Sequence, residues 1–550
     1  MEQYTLQKLE QFSRRKGPLV LIIMDGVGIG ENNEKNALHL ADTPFLDKIR
    51  TECIKNNLYI QLKAHGTAVG LPTDKEMGNS EVGHNALGTG RIVKQRATLA
   101  KEAILSRNLF KTDKWQRLME QIKNGGKTLH LMGLLSDGYV HSHISHLIGL
   151  LYGARDSKVK KVRIHALLDG RDVPPQSALN YIDQLEQELK QINNTNSYDY
   201  QIASGGGRMR VTMDRYYSDW EVVRRGWDAH VCAIPEQNEQ YEGYFKSAGA
   251  AIRKARENNP EISDQYLPSF VIIDQDEQPL GKMGDGDVVI NFNFRGDRAI
   301  EISQAFDDRE YRFIKKCAPN VFYYGLLQYD KKIKLPHNYF IDPPEVEDSL
   351  SVYLCNEQIN QFAIAETHKY GHITYFWNGN KEGYVCKQFE EYIEIESDPS
   401  EMIESHPKMK AVEVKDKLIE VLDAGSYNFL RVNWANGDMV GHTGNIEAAI
   451  EAAEIVDQCV KETVEKVMEL KGIAVITADH GNLEEMDDMH QTAHSLNPVM
   501  FAIVDSKHNE EYRINDKIKE PGLGNVAATM LNLMGYKKPE TFMDSLIKLY

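Results

Sequence analysis

Ile473-Ala474-Val475-Ile476-Thr477-Ala478-Asp479-His480-Gly481-Asn482 is an apolar run that ends in an acid, an imidazole and a turn residue. Five consecutive residues without a charge predict a strand buried on both faces, as in a parallel sheet. The Asp479-His480 pair then stands at its carboxyl end, where open α/β sheets gather their ligands. Two further stretches carry the same residue types. Asn436-Gly437-Asp438-Met439-Val440-Gly441-His442 follows the apolar run Tyr427 to Asn433, and Ala493-His494-Ser495 lies downstream. A single Asp-His pair at a strand end usually caps a turn. Asp438, His442, Asp479, His480 and His494 together have the donor chemistry of one or two divalent metal sites. Carboxylate and imidazole leave the ion open among Mn, Mg, Co, Fe and Zn.

Strand candidates alternate with helical stretches along the whole chain, which predicts α/β architecture with mainly parallel sheets. They are Leu19 to Met24, Leu129 to Leu135, Val162 to Leu168, Tyr198 to Ala203, Asp287 to Phe294, Tyr427 to Asn433, Ile473 to Thr477 and Pro498 to Val504. Only one of them falls in the first 90 residues. Ile446 to Leu470 has the apolar periodicity of a long amphipathic helix with a core-facing stripe. At 550 residues the chain is too long for one ordinary core. Metal-type residues fill its first and last thirds and a different set fills the middle. The expected organisation is a discontinuous outer domain, residues 1–94 and 340–550, with a second α/β domain, 95–339, inserted.

Composition narrows the partners. A net charge of −17 disfavours nucleic acid and anionic membranes, both of which select a basic face. No apolar run approaches membrane-spanning length. The pair Arg14-Arg15 ahead of Pro18 to Met24 faintly resembles an export signal, but the run is short and ends in Asp25-Gly26, as a first strand would. Six scattered cysteines with no C-x-x-C pair suit a reducing cytoplasm.

Two more N-terminal features point toward phosphate. Asp25 follows the first strand, in line with Asp438 and Asp479. Ser80 lies in Met77-Gly78-Asn79-Ser80-Glu81-Val82-Gly83-His84-Asn85, a Gly-flanked helix start whose free N–H groups would attract an anion. In the middle region, successive strand ends carry Ser136-Asp137-Gly138-Tyr139-Val140-His141, Leu168-Asp169-Gly170-Arg171-Asp172, Gly205-Gly206-Gly207-Arg208 with Met213-Asp214-Arg215, and Asn293-Phe294-Arg295-Gly296-Asp297-Arg298. The guanidinium fork binds carboxylate and phosphate through two bonds at once, so an arginine set of this kind fits a small phosphoacid.

Met24-Asp25-Gly26-Val27-Gly28, the Ser80 segment, the Asp438–His442 segment and Thr477-Ala478-Asp479-His480-Gly481-Asn482 resemble, in order and over nearly the whole chain, the cofactor-independent phosphoglycerate mutases of the alkaline phosphatase superfamily. The resemblance implies a phosphatase-like metal domain with an inserted substrate domain. It implies interconversion of 3-phosphoglycerate and 2-phosphoglycerate, in glycolysis and gluconeogenesis, without 2,3-bisphosphoglycerate. Ser80 would be the nucleophile that becomes phosphoserine. Asp438, His442 and His494 would hold one metal and Asp25, Ser80, Asp479 and His480 the other, with Mn2+ expected and Mg2+ or Co2+ as variants. His141, Arg171, Asp172, Arg208, Arg215, Arg295 and Arg298 would serve the substrate, with Asp172 as acid/base. Lys369, in Glu366-Thr367-His368-Lys369-Tyr370, matches the family's active-site lysine. The family is usually monomeric, and closure of the two domains over the substrate is expected, to keep water from phosphoserine. Two local departures stand out: Tyr139 where the family often has Gly, and Gly296 where Pro or Ala is usual. The alternatives are a phosphohydrolase or phosphopentomutase of the same superfamily, or a non-catalytic metal- or phosphoacid-binding protein.

Overall fold

The computed structural model describes residues 4–195, 197–215, 217–308, 317–342, 346–399, 402–486 and 493–550. The chain forms two compact units: Met1–Gln95 with Pro344–Tyr550, and Arg96–Pro343. Each is a mixed α/β unit with its own sheet and its own apolar core.

The first unit is built on a seven-stranded sheet, in the order Glu390–Ile395, Gln361–Glu366, Phe429–Trp434, Leu19–Met24, Ile473–Thr477, Val499–Asp505, Tyr59–Leu62. The first five are parallel and the last two join antiparallel. Leu19–Met24 and Ile473–Thr477 are wholly buried, the state that their unbroken apolar sequence demands. Because Leu19–Met24 runs between Phe429–Trp434 and Ile473–Thr477, the turns bearing Asp25 and Asp479 and the short helix Asn436–Gly441 bearing Asp438 follow three neighbouring strand ends. The helix Ile446–Glu469 is capped by Asn445, whose side chain accepts from the Ala448 N–H, and buries a face running from Ala448 through Ala452, Val456, Val460 and Val467.

The second unit carries an eight-stranded sheet in the order Tyr339–Ile341, Phe322–Leu327, Val288–Asn291, Leu129–Leu135, Lys161–Leu168, Asp199–Gly207, Phe270–Ile272, Tyr244–Phe245. All its pairings are parallel except that between Asp199–Gly207 and Phe270–Ile272.

Several expectations need correction. The first 90 residues contain a second strand, Tyr59–Leu62, a short and half-exposed edge whose sequence lacks a continuous apolar run. Gln361–Glu366 and Glu390–Ile395 lie in a region read as strandless. The first is fully buried, but the Gln and Glu at its ends break the apolar signal. The strand expected over Asp287 to Phe294 spans only Val288–Asn291; beyond it the Asn291 side chain accepts from the Asn293 N–H and the Asn293 side chain from the Leu134 N–H. The strand expected to end at Ala203 runs on through Gly207.

Candidate active site

In the first unit the polar residues converge on Ser80. It begins the helix Ser80–Thr89, but Asn79 does the capping: its side chain accepts from the Val82 N–H at 3.1 Å. The serine hydroxyl is therefore free for other partners. Its Oγ lies 3.1 Å from Asp25 Oδ1, 3.0 Å from His480 Nε2 and 2.6 Å from Lys369 Nζ. Gly83 permits this approach, since a Cβ there would fall 2.6 Å from the Asp479 carbonyl oxygen. At Gly26, with φ +74°, a Cβ would fall 2.5 Å from the Asp438 N, so this turn also needs glycine.

Lys369 reaches the same point from the short helix Thr367–Gly371, donating to Asp25 Oδ1 at 2.7 Å and to Asp438 Oδ2 at 2.6 Å. On the far side of Asp438, its Oδ1 lies 3.2 Å from His442 Nε2 and 3.0 Å from His494 Nε2. His494 Nδ1 is held by the Gly78 carbonyl at 2.7 Å, which aims Nε2 into the cluster. His480 Nε2 stands 3.5 Å from Asp25 Oδ1 and 3.7 Å from Asp479 Oδ2.

Burial alone would raise the carboxyls of Asp25 and Asp438, yet Lys369 and the imidazoles hold both well below the usual range. His480 is wholly buried, which disfavours its charge, but Asp479, Asp25 and Asp438 push it up to about 10. Three buried carboxylates against one lysine and the raised His480 still leave the cluster short of positive charge. Asp479 Oδ2 is buried with no hydrogen-bond partner, 3.1 Å from His84 Nδ1. Both observations fit a cation, and the oxygen and nitrogen donors fit a divalent one. Asp438, His442 and His494 offer one set of donor atoms lying within 4.8 Å of one another; Asp25, Asp438 and His480, and Asp25, His84 and Asp479, offer others.

The second unit gathers an arginine cluster at its strand ends. Arg208 is buried and bonds Asp169 Oδ1 at 2.7 Å as well as Asp172 Oδ2. Arg295 Nε lies 3.1 Å from Asp297 Oδ1 and Arg215 Nη1 lies 3.9 Å from Asp297 Oδ2. His141 Nδ1 is 3.5 Å from Asp297 Oδ1, and its Nε2 is 4.0 Å from Asp172 Oδ2. Arg298 is buried and donates to the Met213 carbonyl at 2.7 Å. Arg171 is exposed, its backbone N–H held by Asp169 at 3.2 Å. Burial and the guanidiniums of Arg208, Arg295, Arg298 and Arg215 drive His141 down to about 2, so it is neutral. Burial and the neighbouring Arg208 and Arg215 also lower Arg298. Such a field calls for an anion. Tyr139 takes φ +55°, the left-handed conformation that glycine adopts freely, and stacks on His143 at 4.1 Å.

The metalloenzyme superfamily profile matches residues 17–538. A probable 2,3-bisphosphoglycerate-independent phosphoglycerate mutase of Leptospira interrogans is 46% identical over 562 residues, 99% of each chain. The 2,3-bisphosphoglycerate-independent phosphoglycerate mutase of Trypanosoma brucei brucei is 42% identical over 99% of each. The crystal structure of Leishmania mexicana phosphoglycerate mutase at low cobalt concentration superposes with a TM-score of 0.71 at 40% identity, covering 99% of this chain and 100% of that one. The chain belongs to the 2,3-bisphosphoglycerate-independent phosphoglycerate mutase family. It is accordingly an isomerase.

Four residues that sequence alone does not single out shape the site of this mutase-family chain. His84, four residues after Ser80 and so on the same helix face, donates from Nδ1 to the Ser80 carbonyl (2.9 Å) and faces Asp479. Asn433 donates to Asp25 Oδ2 at 2.6 Å, and Asn482 to Asp438 Oδ1 at 3.1 Å. Arg431, wholly buried within its strand, donates through Nε to the Ile373 carbonyl at 2.8 Å, just past the Lys369 helix. The spacing from Ser80 to His84 was a usable signal; the other three had none.

Proposed function

We propose that this enzyme interconverts 3-phosphoglycerate and 2-phosphoglycerate through a phosphoserine at Ser80, in glycolysis and gluconeogenesis. The observation that carries this reading is the Ser80 hydroxyl. It is released from capping by Asn79 and lies 2.6 Å from the buried ammonium of Lys369, amid acids and imidazoles.

Asp438, His442 and His494 would hold one divalent ion, and Asp25, Ser80, Asp479 and His480 a second; manganese is the expected metal, with magnesium or cobalt as variants. When bound, such ions supply the positive charge that acidifies a serine hydroxyl and neutralises phosphoryl oxygens. Ser80 Oγ forms the new P–O bond as the bond to the substrate oxygen breaks, and Lys369 offsets charge on the phosphoryl group. Asp172 delivers a proton to the departing glycerate oxygen and later removes one from the hydroxyl that takes the phosphoryl group back. Arg171, Arg208, Arg215, Arg295 and Arg298 bind the carboxylate and phosphate of the substrate, with neutral His141 beside them. The bond from Arg208 and the 4.0 Å separation from His141 Nε2 support Asp172 in that role. The six cysteines are free thiols, which supports a reducing cytoplasm. Among the described residues no helix is long and apolar enough to cross a membrane. A monomer acting on a small molecule, without nucleic-acid or membrane partners, is the form we propose.

Ser80→Ala is expected to abolish mutase turnover and acid-stable phosphoenzyme from labelled 3-phosphoglycerate while metal content persists. Retained turnover would remove Ser80 from the mechanism. Release of inorganic phosphate in place of 2-phosphoglycerate by the native enzyme would make it a phosphohydrolase.

A further inference from the structure

Glu301 is a buried acid that the mechanism above does not use. It sits at the start of the helix Ile300–Asp308, three residues beyond Arg298. Its Oε1 accepts from the Tyr217 N–H at 2.9 Å, and its Oε2 is buried with no donor. Asp214 lies against it, and accepts from Ser218 Oγ at 2.6 Å and the Asp219 N–H at 2.7 Å. Between Asp214 and Tyr217 stands Arg215. The neighbourhood is strained: Thr212 and Tyr217 both hold left-handed φ, +70° and +57°. Such conformations persist only where surrounding contacts impose them. Three tethers do so here: Arg298 to the Met213 carbonyl, Asp214 to Ser218 and Asp219, and Glu301 to Tyr217.

We propose that Glu301 is a positioning residue for Arg215, a proton-dependent latch that holds the Arg215 segment when it is neutral and loosens it when it ionises. This rests on the reading of Arg215 and Arg298 as substrate-binding. A protonated Glu301 shares its hydrogen with Asp214 and still accepts from Tyr217. An ionised Glu301 repels Asp214 and attracts Arg298, pulling that guanidinium from its substrate. Both effects weaken binding. The other charged groups facing this point are Asp308, from Glu301's own helix, and Asp330, both beyond Tyr217. Both are acids and add to burial in raising the neighbouring Tyr217 hydroxyl. Burial, with help from Asp214, raises the Glu301 carboxyl to about 7, so the latch titrates near neutral pH.

The test is the pH dependence of KM for 3-phosphoglycerate in the metal-loaded enzyme between pH 7 and 9, where the substrate's own ionisation is complete. KM is expected to rise about fivefold to tenfold in the native enzyme, since one unit of pKa coupling is a factor of ten. In Glu301→Gln it should stay flat, while the kcat profile is common to both. Asp214→Asn removes the repulsion from the other side and should also flatten KM, which covers the case of a poorly folding Glu301→Gln. A KM slope in both variants equal to that of the native enzyme overturns the latch, as does a Glu301→Gln that changes kcat and leaves the KM slope intact. Arg215→Ala should raise KM at every pH. If it leaves KM unchanged, the substrate-binding reading of Arg215 fails instead.

Discussion

At the scale of single residues, the site in the first unit is a problem of charge. Among the described residues Lys369 is the one lysine bonded to Asp25 and Asp438, and those carboxylates in turn raise its own pKa. Removing it leaves two buried acids facing each other with less positive charge, a costly arrangement. Lys369→Met is therefore expected to reduce kcat by at least about 100-fold, the order seen when one preorganised charge donor is lost. KM should change little, because the arginines we propose for substrate binding are untouched. Steady-state kinetics on the metal-loaded variant decides it, and a loss confined to KM would contradict the role. Lysine at this position had no signal of its own in the sequence and came into view only through family resemblance. Asp25 and Asp479 were legible because each follows an uncharged strand, and Asp438 because its strand is broken only by Arg431. Asn433 and Asn482 were not, since an asparagine near a strand end serves turns just as well.

At the scale of elements, the strands read best are those whose chemistry leaves no alternative. Leu129–Leu135 and Ile473–Thr477 have the boundaries their apolar runs predict. Gln361–Glu366 was missed although it carries the Lys369 helix at its carboxyl end, because its polar ends are satisfied only by tertiary partners. Glu366 shows how. Its Oε1 accepts from the Lys410 N–H at 3.0 Å and its Oε2 from Ser397 Oγ at 3.1 Å. Burial outweighs these bonds and raises its carboxyl to about 7. A carboxyl raised on folding stabilises the native state below its unfolded pKa, and that contribution is lost as pH rises through about 7. Glu366→Gln mimics the protonated form. It should leave the melting temperature unchanged at pH 5 and raise it by about 2 °C at pH 8.5, the size of shift that ~1 kcal/mol gives in a large domain. A lower melting temperature at both pH values would show that the glutamate works as a charge.

At the scale of the whole molecule, the chain leaves its first unit near residue 95 and returns to it near residue 344. The transition coincides with a change of residue type, from acids and histidines to arginines, and not with any linker composition. Physically it matters that neither apolar core borrows from the other. The large core of the first unit draws only on residues up to Leu87 and from Leu350 onward, whereas the main core of the second runs from Ala97 to Leu327. A segment of about 250 residues with a complete sheet and its own core has the size and burial of an autonomous domain. Residues 96–343 expressed alone should therefore melt cooperatively, with dispersed amide resonances and no dependence on divalent metal, since the candidate metal-binding residues all lie in the first unit. The full-length enzyme should differ. Chelation strips the charge that balances Asp25, Asp438 and Asp479, so its melting temperature should fall and recover on adding manganese. An excised segment that is unfolded would show that the second unit depends on the first for its fold, and one that gains stability from manganese would show a metal site of its own.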